Sequence, residues 1–502
     1  MLLTPFMLAT ASAPTRLSCA LCQVVAHEAS AFASNASRVA RAIDGLQHDC
    51  DETFPKNGTL ATICRTLAKE AVGLAPFLAK QIDTLAWDDR AFCAALGQCL
   101  VPCCSTEDVP EQVHLSLRKA PDEMAVMWTT LLNSSAQSVY WGLAPDALVN
   151  TSGELALRSY THFGWRGQLH TGLMTGLVPS TLYFYRVGDG TTSSPVYSFH
   201  TLPKAVGQDD ATMLRIVSLG DMGYGEKSDA TIARLTELVD ANKVDVILHN
   251  GDISYADGDM AHWDTFMRKI EPVAARVPYM TTPGNHEFWF NFTAYKMRFA
   301  MPDEGAHDGM YWSLDLPLVH ITATDTESPL DLAWIDKRQQ AWIEKDLASA
   351  REGDGAAWML VAGHRPLYCT NHHGQDVPHG NGVLRSQIEQ ILVEHRVDLV
   401  LQAHEHGYER SWPTAHGTPA QHNYTSPAAP VYIVNGAGGN REANELPPGD
   451  QPWAATVTPS SGLSPQTAKI SYGLITVTGA QLKYEQFDSM GNTLIDTFTL
   501  SK

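Results

Sequence analysis

The stretch LRIVSLGD, residues 214–221, joins a short apolar run to a Gly-Asp pair, and VDVILHNGD, residues 244–252, repeats the pattern. Short runs of branched apolar residues predict buried strands, and Gly-Asp marks the turn where each strand ends. Two similar runs, Trp358–Ala362 and Val397–Gln402, precede histidines. Helix-like stretches lie between these runs, namely Ala230–Val239 and Leu384–Val393. Strands that alternate with helices predict an α/β domain with a largely parallel sheet.

Polar side chains that can bind metal ions follow the predicted strands. In chain order these side chains are Asp221, Asp252, Tyr255, Asn285, His364, His404 and His406. Open α/β folds place their sites just beyond the carboxyl ends of parallel strands, so we expect the seven side chains to converge. Taken singly, each motif is more often a turn, a polar loop or a hydrogen-bonded interior histidine. Their order and complementary chemistry together predict a metal site.

The donor atoms predict the kind of ion. Carboxylate, amide and imidazole ligands suit iron, zinc or manganese. A tyrosine ionises at a pH of about 10, so Tyr255 requires a strongly acidic ion such as Fe(III) to bind as a phenolate. Two cations bridged about 3.5–4 Å apart attract a phosphate and supply a metal-bound hydroxide that attacks phosphorus. The sequence therefore predicts a hydrolase for phosphate esters.

Five ordered motifs carry a family resemblance: Asp-x-Gly, Gly-Asp-x-x-Tyr, Gly-Asn-His-Glu, Val-x-x-His and x-His-x-His. Over roughly residues 109–502 the chain resembles the purple acid phosphatases of the metallophosphoesterase superfamily. The resemblance implies an acid phosphatase that hydrolyses phosphate monoesters. It implies three ligands for Fe(III), namely Asp221, Tyr255 and His406. It implies three for a divalent zinc, iron or manganese ion, namely Asn285, His364 and His404, with Asp252 bridging the two ions.

One position departs from this resemblance. Ala403 stands before His404, where the family usually has glycine. Alanine adds one methyl group and fits there unless the backbone needs a positive φ. We therefore expect the substitution to leave the activity in place.

Histidines near the ligands predict the proton donor for the leaving group, since an imidazole titrates in the mildly acidic range. His286 follows Asn285 directly and must lie close to the site. His372 and His373 follow in a loop after His364. The family resemblance implies that the second histidine of such a pair, His373, acts as general acid. The alternative for this pair is a solvated loop.

The segment from about 109 to 203 predicts a small β-sandwich, because short strands alternate with turn residues. The predicted strands are Gln112–Leu117, Met124–Thr129, Ser138–Trp141, Gly167–Thr171, Tyr183–Val187 and Tyr197–His200. The segment resembles the fibronectin-III-like domain that precedes the catalytic domain in larger purple acid phosphatases. It contains no catalytic candidates, so we expect a packing or binding role.

Six of the eight cysteines within residues 17–104 predict a helical module stapled by disulfides. They are Cys19, Cys22, Cys50, Cys64, Cys93 and Cys99. A zinc site is the weaker alternative, because no second cysteine pair follows at finger spacing, and spacing alone permits fifteen pairings. The module resembles saposin-B domains, which implies nested bridges Cys19–Cys99, Cys22–Cys93 and Cys50–Cys64. It also implies a lipid or membrane surface as a partner, with a folded spacer as the alternative.

Three further cysteines do not belong to this set of six: Cys103, Cys104 and Cys369. Because Cys369 falls between His364 and His373, we hypothesise that Cys103 or Cys104 bridges Cys369 and fastens the domain junction beside the site.

Several features predict the secretory route. Residues 1–16 resemble a signal peptide. The last predicted domain in the chain, after the saposin-like module and the β-sandwich, is the catalytic domain at residues 212–502. Glycosylation sequons occur at Asn35, Asn57, Asn133, Asn150, Asn291 and Asn423. The net charge of −20 excludes general nucleic-acid binding through a basic surface. The compartment is therefore expected to be extracellular, lysosomal or vacuolar.

Two other functions fit parts of the sequence. A lipid phosphodiesterase similar to acid sphingomyelinase also joins a saposin domain to a metallophosphoesterase domain. That family typically has a histidine where this chain has Gly223, and it lacks the tyrosine found here at Tyr255. A non-enzymatic lipid-binding effector is the third reading, and the complete set of ligands weighs against it. Residues beyond about 440, including Pro447–Gly462, are expected to form a polar loop without an assigned role.

Overall fold

The computed structural model describes residues 101–104, 109–131, 137–204, 212–302, 307–327, 334–352, 356–371, 380–455 and 465–502. The saposin-like module and its six cysteines lie outside these residues. The described residues divide into two compact units. The smaller contains Val101–Pro102, Thr161–Arg166 and Asp257–Ala261, and its strands β1 (Val101–Pro102) and β6 (Trp165–Arg166) pair in parallel. The larger contains the remaining described residues.

The larger unit begins with an antiparallel sheet in the order β2-β3-β7-β5-β4-β8-β9. Its strands are β2 (Glu111–Leu117), β3 (Met124–Thr130), β4 (Ser138–Gly142), β5 (Asn150–Arg158), β7 (Gln168–Met174), β8 (Leu182–Gly188) and β9 (Tyr197–His200). The six predicted strands are all present. Strand β5 was not predicted, and it joins the two halves of the sheet because its beginning pairs with β4 and its end with β7.

Two mixed sheets build the α/β part of the larger unit. The first has the order β12-β11-β10-β22-β23-β24 and the second β13-β14-β15-β16-β20-β17-β21. In chain order, the first six strands of these two sheets are β10 (Leu214–Leu219), β11 (Val246–Asn250), β12 (Tyr279–Thr282), β13 (Trp312–Leu316), β14 (Val319–Ala323) and β15 (Trp358–Ala362). The rest are β16 (Leu399–Gln402), β17 (Tyr408–Arg410), β20 (Val431–Asn435), β21 (Gln466–Thr467), β22 (Ser471–Val477), β23 (Gln481–Asp488) and β24 (Thr493–Ser501). Strands β18 (Thr414–Ala415) and β19 (Thr418–Pro419) form a separate antiparallel pair.

Helices connect the parallel strands. They are α1 (Asp229–Asp240), α2 (Met260–Ala274), α3 (Trp289–Arg298), α4 (Lys337–Glu352), α5 (Gly382–Leu384) and α6 (Gln390–Glu394), with a π-helical turn at Arg385–Glu389 between the last two. Apolar residues of α4 to α6 pack with Met359 and Val361 of β15 and Val400 of β16 in one buried cluster. This core fixes the second sheet beneath the loops that leave its carboxyl end.

Buried hydrogen bonds join the two sheets. The amide of Asn435, at the end of β20, donates to the carbonyl oxygen of Ser218 in β10 at 2.7 Å. Its oxygen accepts from Gln486 of β23 at 2.9 Å. The two sheets therefore face each other, and their parallel strands end at a common edge. The predicted α/β domain with a largely parallel core is confirmed.

Two predictions were wrong. Residues beyond 440 contain the strands β21 to β24, and β22 pairs antiparallel with β10 at the centre of the first sheet. The proposed bridge to Cys369 does not form, because Cys103 and Cys104 are bonded to each other. The side chain of Cys369 is buried and packs against Val434.

Candidate metal centre

All seven predicted ligands lie in loops at the carboxyl ends of parallel strands. Asp221 follows β10, Asp252 and Tyr255 follow β11, and Asn285 follows β12. In the second sheet, His364 follows β15 and His404 and His406 follow β16. Because the two sheets present these ends at one edge, side chains from five strands meet there.

Three of the seven side chains form one group. The phenol oxygen of Tyr255 lies 2.9 Å from Oδ1 of Asp221 and 2.9 Å from Nε2 of His406. Nε2 of His406 lies 3.3 Å from the same carboxylate oxygen. Tyr255 is 1% exposed and Asp221 is fully buried, so this oxygen-rich pocket is shielded from water.

The other four form an adjoining group. Oδ1 of Asn285 lies 3.0 Å from Nε2 of His364 and 2.9 Å from Nδ1 of His404. Oδ2 of Asp252 lies 3.2 Å from Nε2 of His364. One ligand atom each of Asp252, His364 and His404 falls within 4.8 Å of the others, a spacing that a metal ion can fill.

The hydrogen bonds show how these residues present lone pairs to a cation. Nδ1 of His364 lies 2.9 Å from the carbonyl oxygen of Asn250, which can only accept, so Nδ1 carries the proton. Burial lowers the pKa of His364, but Asp252 raises it to about 10, so without a cation Nε2 carries a proton too and donates to the acceptor oxygens of Asp252 and Asn285. A bound cation would replace that proton and receive the lone pair of Nε2. Histidines that bind a metal usually donate the N–H of their other ring nitrogen to a carbonyl oxygen or a carboxylate, as His364 does to Asn250. The donor set therefore fits a metal centre.

Four of the seven residues adopt left-handed backbone conformations. Their φ values are 55° at Asp221, 49° at Asp252, 53° at Tyr255 and 68° at His404. Non-glycine residues in this region each cost about 1–3 kcal/mol and cluster at functional sites. The φ of Ala403 is not positive, so alanine fits at this position, as expected.

Burial and neighbouring charges shift the pKa values of the cluster. Burial raises the pKa of Asp221. Burial opposes ionisation of Asp252 too, but His364 and His286 hold its pKa well below the usual range. Burial, and then the carboxylates of Asp221 and Asp252, raise the pKa of Tyr255 far above that of a free phenol. A phenolate at this position therefore requires cations beside it.

Two residues outside the seven face the cluster. The ring centroid of His286 lies 4.1 Å from that of Tyr255, and its Nε2 lies 3.9 Å from Oδ2 of Asp252. The carboxylate of Glu442 lies 3.8 Å from Nε2 of His286 and 3.7 Å from Nδ1 of His406. His286 was predicted from its position beside Asn285. Glu442 was missed, because it lies in the loop after β20, which carried no recognised motif. His372 and His373 lie outside the described residues.

Backbone contacts hold the Glu442 loop against the site. The amide of Asn440 donates to the carbonyl oxygen of Asp221 at 3.0 Å, and the Arg441 guanidinium donates to that of Tyr255 at 3.1 Å. Lys227 donates to the carbonyl oxygen of Glu442 at 2.8 Å. The C-terminal region thus contributes to the site directly, which corrects the expectation of a loop without a role.

Family models match three segments of the chain. Residues 110–201 match the purple acid phosphatase N-terminal domain, residues 214–408 the calcineurin-like phosphoesterases, and residues 429–497 the iron/zinc purple acid phosphatase-like protein C. Acid phosphatase type 7 of Homo sapiens is 35% identical over 375 residues, which cover 69% of this chain and 82% of the human protein. The chain belongs to the purple acid phosphatase family. It is therefore a phosphatase with the metallophosphoesterase fold, and the family implies a dinuclear metal centre.

Other relatives agree with this membership. Purple acid phosphatase 22 of Arabidopsis thaliana is 32% identical over 350 residues, covering 67% of this chain and 74% of the plant protein. The solved purple acid phosphatase PPD1 from yellow lupin (Lupinus luteus) seeds shares the fold, with a TM-score of 0.67 at 24% identity. That likeness covers 78% of this chain and 74% of the lupin chain. Within the described residues, no helix has the length and apolar character needed to cross a membrane.

Proposed function

We propose that this purple acid phosphatase hydrolyses phosphate monoesters at a centre of Fe(III) and a divalent ion. The observation that carries the proposal is the environment of Tyr255, whose buried phenol oxygen lies 2.9 Å from both Asp221 and His406. A buried tyrosine oxygen among ligand atoms of this kind suits Fe(III) and no common divalent ion. The enzyme is thereby proposed to be of the coloured, iron-dependent type.

The adjoining group is proposed to hold zinc, iron or manganese as the divalent ion. Asn285, His364 and His404 supply one amide oxygen and two imidazole nitrogens, which suit each of these ions. Asp252 belongs to the second group, but its charge also acts on Asp221 and Tyr255 of the first, and it is proposed to bridge the two ions. When bound, the two cations supply Lewis acidity and an activated water for attack on phosphorus.

Side chains around the centre are proposed to handle the proton of the leaving group. His286 has a partly exposed side chain, 17% accessible, so its ring can reach a substrate oxygen while it packs against Tyr255 at a tilted angle. Glu442 faces both His286 and His406, and its carboxylate favours the protonated imidazole that a general acid needs. His373 stays a predicted second donor.

The test compares two tyrosine variants. Tyr255→Phe should abolish most turnover of 4-nitrophenyl phosphate at acidic pH, because one iron ligand is lost. The matched control is Tyr432→Phe, since Tyr432 is 1% exposed and its hydroxyl has no hydrogen-bond partner among the described residues. The control should keep its turnover. Equal activity in both variants would contradict the proposal.

The same preparation separates the alternatives. Colourless protein that cleaves bis(4-nitrophenyl) phosphate and phosphocholine lipids faster than monoesters would support the phosphodiesterase. Inactive protein that makes lipid vesicles leak would support the lipid-binding effector. Gly223 and Tyr255 favour the monoesterase.

The secretory route is proposed from the sequons. Asn150, Asn291 and Asn423 have exposed side chains, as glycan acceptors must. The other three sequons and the saposin-like module lie outside the described residues, and a lipid partner stays a prediction. A mass decrease after endoglycosidase treatment of protein from a secreting eukaryotic host tests the route, and an unchanged mass would contradict it.

A further inference from the structure

A buried ion pair lies behind one of the proposed ligands of the divalent ion. Nε of Arg365 lies 2.8 Å from Oε2 of Glu327, with side-chain exposures of 3% and 0%. Nη1 of Arg365 lies 3.3 Å from Nε2 of His404. Removing two charges from water costs several kcal/mol per ion, and a buried pair seldom repays that cost in stability. The pair therefore calls for a functional explanation.

Both members of the pair are held in place by fixed hydrogen bonds. The Thr326 hydroxyl accepts from the backbone amide of Arg365 at 3.1 Å and donates to Oε1 of Glu327 at 2.8 Å. The carbonyl oxygen of Arg365 accepts from the side-chain amide of Gln402, at the end of β16, at 2.9 Å. The guanidinium thus has a defined position next to the ring of His404.

The contact between Arg365 and Nε2 of His404 opposes metal binding at the other nitrogen of this ring. The nitrogen of His404 that faces the centre is Nδ1, 2.9 Å from Oδ1 of Asn285 and 3.2 Å from Nε2 of His364. A cation at Nδ1 leaves the ring proton on Nε2, which must then donate. A guanidinium also only donates, so two donors face each other across the contact with Arg365. Its positive charge adds a repulsion between Arg365 and the cation.

We propose that Arg365 weakens the hold of the centre on its divalent cation and strengthens its hold on the phosphate anion, with Glu327 limiting both effects. The proposal rests on the proposed role of His404 as a ligand. A buried positive charge repels a cation and attracts a phosphate dianion through the same field, and the carboxylate of Glu327 offsets part of it.

The experiment uses the full-length chain and two variants with opposite expected signs. Arg365→Gln combined with Glu327→Gln removes both charges and supplies an amide oxygen that can accept from Nε2 of His404. Its dissociation constant for Zn²⁺, measured by dialysis against zinc buffers, should fall about tenfold, within the range by which partners of metal ligands alter affinity. Its inhibition constant for inorganic phosphate should rise. Glu327→Gln alone leaves the charge of Arg365 unbalanced, so Zn²⁺ should bind more weakly and phosphate more tightly.

Arg365→Lys is the charge-retaining control, and its zinc affinity should stay close to that of the wild type. Looser or unchanged zinc binding in the double variant would overturn the proposal and mark Arg365 as a positioning residue. Should the double variant fail to fold, tighter zinc binding in Glu327→Gln would overturn it instead. Wild-type protein that takes up no zinc beside its iron would refute the proposed dinuclear centre, a failure distinct from either variant result.

Discussion

A methyl group added at Gly220 should displace two ligand loops at once. Gly220 precedes Asp221 and Ala403 precedes His404, and a Cβ built on Gly220 falls 2.3 Å from the Cβ of Ala403. The same Cβ lies 3.1 Å from the carbonyl oxygen of Asn250, so movement away from Ala403 is limited. Gly220→Ala therefore tests how tightly the loops after β10 and β16 are packed.

The size of the effect follows from this overlap. Carbon atoms pack at about 3.5–4.0 Å, so the two methyl groups approach more than about 1 Å too closely. Overpacking of this kind costs about 1–3 kcal/mol, while the loss of glycine freedom in the unfolded chain returns about 0.4–1 kcal/mol. The φ of Gly220 lies outside the left-handed region, so alanine adds no backbone strain there. We expect Gly220→Ala to lower the free energy of unfolding by about 1–2 kcal/mol and to reduce iron content.

The matched control moves the methyl group instead of adding one. Gly220→Ala combined with Ala403→Gly removes the clash and should recover at least about 1 kcal/mol relative to the sum of the single changes. Urea unfolding followed by tryptophan fluorescence gives the free energies, and mass spectrometry gives the iron content. Free energies that add within about 0.5 kcal/mol, as for independent sites, would refute the packing argument.

Two further predictions concern charges away from the centre. Burial lowers the pKa of His320, but Asp315 and Asp346 raise it to about 9. The protonated His320 therefore stabilises the folded protein by roughly 2–3 kcal/mol below pH 6.5, and this stabilisation is lost as the pH rises through 9. His320→Gln should therefore flatten the pH dependence of urea unfolding between pH 6.5 and 9, and an unchanged slope would contradict this. Arg298 and Asp264 form a buried pair at 2.8 Å. Arg298→Met should lower the free energy of unfolding, measured by thermal denaturation, by about 3–5 kcal/mol because it leaves Asp264 unpaired. Adding Asp264→Asn should restore part of this free energy, and no restoration would argue against the ion pair.

The sequence predicted strands best where both faces of a strand are buried. Leu214–Leu219 and Trp358–Ala362 have the predicted bounds because each is a short run rich in buried apolar residues. Strand β5 escaped prediction because most of its residues are exposed or half-buried, including Leu155 at 60%, so its sequence lacks apolar contrast. In β23 the inward position 486 carries a fully buried glutamine, which interrupts the apolar alternation.

The ligands were predictable because each one lies in a recognisable motif directly after one of five strands. Glu442 and Arg365 were not, since their importance depends on distances between loops that are far apart in sequence. Glu442 reaches His406 only because the loop after β20 folds back over β10 and β11. Arg365 reaches His404 because β15 and β16 are neighbours. Neither contact can be recognised from the local sequence around these residues.

The proposed chemistry depends on Tyr255, which we propose binds Fe(III) as a phenolate. Metal analysis of the purified protein by mass spectrometry, with the visible spectrum of the same sample, tests it most directly. We expect one iron and one divalent ion per chain, together with a visible charge-transfer band that Tyr255→Phe abolishes and Tyr432→Phe leaves in place. Active, colourless protein without iron, or a band that survives in Tyr255→Phe, would contradict it.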